Sequence, residues 1–433
     1  MNVPLKRIWI AILGLSLSVG CVPVEDDTTN NSNNANNNTN NANNTSPQGW
    51  QTFELEVPGD RFASGMRVTG VWCDAANSCV YSVDTNDGHG YLGSASSEGV
   101  TGVVLDGATV ATASGANFNI RFLGFNKTSA GLVARVDSAA SYVSAAGAIT
   151  APESWSTSTF GVNGDGDFRF GNKQWMIASA ADGKWRYIYN GVLWGADSAP
   201  GPETLWTGLW SPDRNPSFPA DYLTRKGADP TLCGGAPQMN ILPSVTQFAA
   251  ISADMGTFIY PANAINQGGG DPSGVCVSTN AGVTFNQVPF DGLGDELGPK
   301  AVYCVGGDKC WAYNALPNDV DSVFIYYTTN ASAGANMTWT RATLPVSVPN
   351  EDVQFNHIFF APDATNGWMV GSIRNNAMLL NTTDGGQTWT NLSGGVMAKT
   401  DTVRLHSGFA LDANKIWIGG EKGTFLYHAN GGK

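Results

Sequence analysis

Positive charge is scarce in this sequence. Lysine and arginine together number 23 against 36 aspartate and glutamate, giving a formal net charge of −13 at pH 7. Such a surface argues against nucleic acid and against anionic lipid headgroups as partners. A long apolar run is lacking too: Ile8 to Val19 is too short for a comfortable membrane span. Charge of either sign is thin beyond residue 48, where glycine and aromatic residues dominate.

What is present is a repeat. Thr382-Thr383-Asp384-Gly385-Gly386-Gln387-Thr388-Trp389 shares its layout with Ser278-Thr279-Asn280-Ala281-Gly282-Val283-Thr284-Phe285: hydroxyl, Asp or Asn, Gly, Thr, aromatic. A looser copy runs from Thr328 through Asn330 and Gly334 to Thr338-Trp339. The starts at 278, 328 and 382 are 50 and 54 residues apart, a period that means a repeat architecture. The pattern resembles the Asp-box, or BNR repeat, of β-propellers. Each copy reads as a tight turn. The Asp or Asn and the hydroxyl accept local backbone N–H bonds, Gly282 and Gly386 take the left-handed conformation, and the aromatic is buried against a neighbouring strand. The box is thus a folding element.

A β-rich run, often opening with Trp, precedes each box. Seven are present: Val80-Tyr81-Ser82, Leu132-Val133-Ala134, Trp175-Met176-Ile177, Phe258-Ile259-Tyr260, Trp311-Ala312-Tyr313, Trp368-Met369-Val370 and Trp417-Ile418-Gly419. Evenly spaced strands with turns between them predict an all-β protein, a single closed propeller of seven blades with four antiparallel strands each. The chain ends on Tyr427-His428-Ala429-Asn430-Gly431-Gly432-Lys433, which resembles a box cut off before its Thr-Trp, and Gly49-Trp50-Gln51-Thr52-Phe53-Glu54-Leu55 supplies the missing piece. The N-terminal strand is therefore expected to pair into the last blade and close the ring, which removes an open edge. Over 49–433 the layout resembles the seven-bladed photosystem II assembly-factor propellers, most strongly after 245.

Residues 1–20 read as a signal peptide with Lys6 and Arg7 as its positive end. Leu17-Ser18-Val19-Gly20-Cys21 resembles a bacterial lipobox, although Ser18 stands where that family prefers Leu. The resemblance implies a lipidated Cys21 and an exported protein on the outer membrane or cell surface of a Gram-negative bacterium, held by its lipid anchor alone. The Asn-rich stretch within 21–48 cannot build a core and is expected to be a tether. Six cysteines remain, which permits three disulfides. Cys73 and Cys79, and Cys304 and Cys310, each flank a short strand-to-strand turn, and Cys233 is left with Cys276. A zinc site is the rival reading, but neither pair has further Cys or His beside it.

Function has two candidate locations. An interruption at about 197–244 is rich in proline and carries Trp206, Trp210, Arg214 and Tyr222, aromatic and cationic groups suited to a sugar face or a protein. The central channel is the other, with Arg67, Arg121 and Arg404 on innermost strands. His357 and His406 are placed at matching positions three residues before Phe360 and Phe409. Counted by strand alternation, Arg404 and the two histidines share a parity that Arg67 and Arg121 do not. Two histidines without a third ligand make no metal site. Asn163-Gly164-Asp165-Gly166-Asp167 starts like a calcium loop, but Phe168 stands where Gly is needed. The sequence therefore points to a non-enzymatic, monomeric surface module without cofactor or metal, binding an unidentified protein or carbohydrate. The alternative is a sialidase-like exo-glycoside hydrolase, a family that shares the box and grips a carboxylate with three arginines. Its early Arg-Ile-Pro motif is absent; Asp213-Arg214-Asn215-Pro216 in the interruption is the nearest string.

Overall fold

The computed structural model describes residues 49–106 and 122–159 with short gaps, individual strands and turns from 176 to 291, and 299–432 apart from short gaps of which 315–322 is the longest. Among the described residues are seven antiparallel sheets of four strands. The chain enters through β1 (Trp50–Phe53). The first sheet follows as β2 (Met66–Cys73), β3 (Cys79–Thr85), β4 (Gly90–Ser96) and β5 (Gly99–Asp106). The second holds β6 (Phe122–Thr128), β7 (Gly131–Val136), β8 (Ala140–Ser144) and β9 (Trp155–Thr159). The third holds β10 (Met176–Ser179), β11 (Trp185–Tyr189), β12 (Val192–Ala196) and β13 (Thr207–Trp210). The fourth holds β14 (Ala249–Ala250), β15 (Phe258–Ala262), β16 (Gly274–Ser278) and β17 (Asn286–Pro289). The fifth holds β18 (Ala301–Val305), β19 (Lys309–Asn314), β20 (Phe324–Thr328) and β21 (Thr340–Arg341). The sixth holds β22 (Val353–Phe360), β23 (Gly367–Ile373), β24 (Asn376–Thr382) and β25 (Thr390–Asn391). The last is β26 (Leu405–Ala410), β27 (Ile416–Gly420) and β28 (Phe425–His428), with β1 as its fourth strand.

Two sequence expectations shift by one strand. Met176 and Ile177 of the run at Trp175 lie in β10, the first strand of its sheet; β11, opening with Trp185, is the second strand that the other six runs occupy. The interruption at 197–244 is shorter than the sequence reads, because its residues Thr207–Trp210 form β13 and pair with β12.

Successive sheets pack through their first strands: β26 lies against β2, β2 against β6, β6 against β10, β14 against β18, β18 against β22 and β22 against β26. Aromatic rings fill these junctions. Trp311, Trp368 and Trp417, all on second strands, are fully buried, each contributing about 1.5–3 kcal/mol of burial. Trp311 stacks on Phe360 of the next sheet with ring centroids 3.6 Å apart. Gly408 makes room for Phe359, since a Cβ there would lie 2.0 Å from the phenyl ring.

The box explains how Trp311 and Trp368 keep their N–H bonded. Asp384 Oδ1 accepts from the backbone N–H of Gln387 and Thr388, both at 3.0 Å, and Oδ2 accepts from the Thr388 hydroxyl at 2.6 Å. Burial works against this carboxylate. The bonds from Thr388, Thr382 and Gln387 outweigh it and hold its pKa below the usual value. Thr382 Oγ1 accepts from Asp384 N at 3.3 Å and Gly386 N at 2.9 Å. The turn so fixed presents the Gly385 carbonyl to Trp311 Nε1 of the preceding sheet at 2.8 Å. Gly386, at φ 89°, needs its missing side chain: a Cβ would lie 2.3 Å from that same nitrogen.

The chain ends share a box of the same kind. Trp50 pairs with His428 and Phe53 with Phe425, so β1 completes the last sheet as the sequence predicts. His428 Nδ1 accepts from Asn430 N and Gly432 N, both at 2.9 Å, the second and fourth residues beyond it. That is the hydrogen-bond pattern of Thr382. The Gly431 carbonyl then takes Trp368 Nε1 at 2.8 Å. Trp417 faces the first sheet, whose corresponding turn, Ser97-Glu98, has no box, and its buried Nε1 finds no hydrogen-bond partner.

Candidate functional site

A one-residue bulge recurs in first strands and decides where their polar side chains go. It falls between Val68 and Gly70 in β2, Phe122 and Gly124 in β6, Phe355 and His357 in β22, and Leu405 and Ser407 in β26. The extra residues are Thr69, Leu123, Asn356 and His406. An extra residue reverses the alternation of faces beyond it. Three junctions are stitched beside these bulges. Asn356 Nδ2 donates to the Leu405 carbonyl at 2.7 Å, Ser407 Oγ to Val68 O at 3.0 Å, and Thr69 Oγ1 to Phe122 O at 2.7 Å. Each acceptor is the carbonyl just before a bulge.

The bulge corrects two sequence expectations. Phe359 and Phe409, opposite Trp368 and Trp417, are the equivalent pair, so His406 matches Asn356 and His357 matches Ser407. His357 and His406 are therefore not equivalent. The assumed parity also fails: Arg67 and Arg404 each stand two residues before a bulge, in the same place of adjacent sheets. Arg404 itself lies one residue before β26 rather than within it. Counted back from Leu123, Arg121 takes the same place, but it lies outside the described residues.

Arg67 and Arg404 each have an acid across from them, Asp84 on β3 and Glu421 one residue beyond β27. Arg67 is opposite Asp84, and its guanidinium NH2 lies 2.5 Å from Asp84 Oδ2, with the acid side chain only 2 % exposed. Arg404 N donates to Glu421 Oε2 at 3.4 Å, Glu421 N donates to Arg404 O, and the side chains stand 4.0 Å apart. His406 Nε2 lies 3.5 Å from Glu421 Oε1, an ion-pair distance rather than a well-formed hydrogen bond. His406 is the foremost cause holding the Glu421 pKa below the ordinary range; burial opposes it, and Arg404 adds to it.

The two pairs meet across the junction of the last and first sheets. Arg67 forms an isolated antiparallel bridge with Glu421. The sixth sheet joins through its β23–β24 hairpin, where Arg374 and Asn375, at φ 51° and 66°, make a tight two-residue turn. That turn holds Asn375 Oδ1 where Arg404 donates to it at 3.0 Å from Nε and 2.6 Å from NH2. Both arginines remain partly exposed, at 36 % and 41 %. A guanidinium carries five N–H groups, so this end of the sheets can donate to carbonyl or carboxylate oxygens of a partner. Asp84, Glu421 and Asn375 were missed in the sequence. The signal was there: each acid follows its arginine by 17 residues.

The other predicted positions fare differently. His357 is a packing residue: its Nδ1 accepts from Gly408 N at 3.1 Å and its ring stacks on Phe359. Trp210 ends β13 opposite Leu193. Trp206, Arg214, Tyr222 and Cys21 lie outside the described residues, as does the 163–167 segment. Cys73–Cys79 and Cys304–Cys310 are disulfide-bonded, each across a directly opposed pair of strand residues. Cys276 is disulfide-bonded too; Cys233 lies outside the described residues. Among the described residues no group of three or more His, Cys, Asp or Glu could hold a metal ion.

Comparison with known proteins places this geometry. A family profile described as "Photosynthesis system II assembly factor YCF48" matches residues 331–433. Among curated proteins no match is found. Of solved structures, YCF48 from Cyanidioschyzon merolae superposes with a TM-score of 0.51 at 10 % identity, covering 88 % of this chain and 98 % of that one. YCF48 bound to D1 peptide gives a TM-score of 0.50 at 13 % identity, covering 88 % and 95 %. A Hadza microbial sialidase is more distant, with a TM-score of 0.39 at 12 % identity over 88 % of this chain and 68 % of that one, and carries no argument about activity. The chain is thus an Asp-box β-propeller similar to the photosystem II assembly-factor propellers, as its repeats imply.

Proposed function

We propose that the seven sheets close into one ring and that the protein is a non-enzymatic binding or assembly module for a protein partner. Closure is supported at the seam, where β1 completes the last sheet and Ser407 and the Arg67–Glu421 bridge tie that sheet to the first. The observation that carries the functional reading is the committed state of the acids beside the exposed arginines. A glycosidase of the usual type needs one carboxyl protonated as general acid and another free beside it. Here Asp84 is paired with Arg67, and His406 and Arg404 hold the Glu421 pKa below its usual value, so neither acid is set up as a protonated general acid. A peptide-bound structure among the similar propellers supports a protein segment as the occupant. The disulfides support an exported protein, since such bonds persist in oxidising compartments. Anchoring through a lipidated Cys21, with 21–48 as the tether, belongs to the same reading.

The test is site-directed photocrosslinking from position 374 in the anchored full-length protein. A discrete protein adduct is expected, lost in Arg404→Glu at unchanged melting temperature. Turnover of sialosides or other glycosides that disappears in Arg67→Ala or Arg404→Ala would replace this reading with the hydrolase.

A further inference from the structure

The box shared by the chain ends differs from its neighbour in one chemical respect. Where Thr382 presents a hydroxyl oxygen, His428 presents a ring nitrogen, and only the latter titrates near neutral pH. His428 is fully buried and its ring lies 4.7 Å from that of Trp50. Nδ1 accepts two backbone N–H bonds, so it carries no proton in the closed state. A protonated imidazole has donors at both nitrogens and no acceptor.

We propose that His428 makes the seam an acid-released latch. Protonation at Nδ1 sets N–H against the N–H groups of Asn430 and Gly432, opens the turn that holds the chain end, and frees β1 from β28. The strands paired with β28, β1 and β27, and β23, whose Trp368 bonds the Gly431 carbonyl, carry no charged residue. Among the described residues, the titratable groups on the adjoining segments are Asp412 and Lys415 before β27 and Tyr427 on β28. Asp412 is engaged by the N–H groups of Asn414 and Lys415, and burial pushes the Tyr427 hydroxyl up, so it stays neutral. The closed seam holds fewer protons at this ring than the open chain. Its stability is therefore full above histidine's ordinary pKa of about 6.5 and falls as pH drops through and below it. The Thr382 box next to it has no such group and serves as an internal reference.

Hydrogen–deuterium exchange on the full-length protein tests this at about pH 7.5 and about pH 5.5, either side of the ordinary histidine value, with intrinsic rates corrected. Amides of 50–53 and 430–432 are expected to lose protection about tenfold or more on acidification relative to β24, the scale of two lost hydrogen bonds. His428→Thr, which copies the neighbouring box, is expected to abolish that loss. Equal protection of the wild type at both pH values overturns the proposal, as does an undiminished loss in His428→Thr. Should the variant fail to fold, NMR of the wild-type His428 ring decides. Deprotection that tracks its protonation supports the latch; deprotection while the ring stays neutral, or protonation without deprotection, overturns it.

Discussion

The Ser407 hydroxyl donates to the Val68 carbonyl at 3.0 Å across 339 residues of chain. Both groups are buried, and both sit beside a bulge of their own strand. The bond joins the last sheet to the first at the inner strands, as β1 joins the chain ends at the outer one. Ser407→Ala leaves the Val68 acceptor without this donor and is expected to cost about 1–2 kcal/mol in urea unfolding. Faster amide exchange should be confined to β2 and β26.

The buried tryptophans divide by what their N–H meets. Trp368→Phe removes a bond to the Gly431 carbonyl, whereas Trp417→Phe removes an N–H that has no partner. Both lose ring volume, so the difference between them isolates the hydrogen bond. Trp368→Phe is expected to destabilise by about 1–3 kcal/mol more than Trp417→Phe, read from paired denaturation curves.

Asp384 accepts four bonds within its turn, from Thr382 Oγ1, Gln387 N, Thr388 N and Thr388 Oγ1, and Asn330 takes three of the corresponding bonds in the preceding box, from Thr328 Oγ1, Thr338 N and Thr338 Oγ1. Asp384→Ala is expected to cost about 1–2 kcal/mol and Asp384→Asn less than half of that. The Asp384 pKa is lowered in the fold. Its stabilisation is thus complete above the unfolded value of about 3.9 and is lost as pH falls below it towards the folded value. The difference between wild type and Asp384→Asn should shrink over that acid window.

Glu421 gives a weaker version of the same behaviour, because its side chain is 29 % exposed and solvent screens its partners. Glu421→Gln is expected to cost under about 1 kcal/mol at pH 7. The folded pKa is again lowered, with His406 the largest cause. The contribution is present above about pH 4.3 and lost as pH falls through the folded value. Melting temperatures of wild type and variant should converge towards that acid limit.

The sequence disclosed the parts of this fold that repeat. The boxes at 328 and 382, and the split between Trp50 and His428–Gly432, were legible because a turn needs particular residues at fixed offsets. The disulfide pairs at 73/79 and 304/310 were legible from their flanking of short turns. The bulges were not, since Thr69, Leu123, Asn356 and His406 share no chemistry. Missing them put His357 beside His406 and separated Arg67 from Arg404. The Trp175 run misled for another reason: a first strand and a second strand can share the same apolar composition, and only pairing separates them. The acids of the site, Asp84 and Glu421, belong to no motif and matter through cross-strand register, so their shared 17-residue spacing from an arginine takes on meaning only once the pairing is known.

The outer strands β21 and β25 are two residues long, and β1 is four. Those perimeters offer a neighbouring copy almost no run of unsatisfied amides on which to extend a sheet. At these three edges, unlike the eight-residue edge of β5, any assembly must be chosen by side-chain chemistry rather than by backbone zippering.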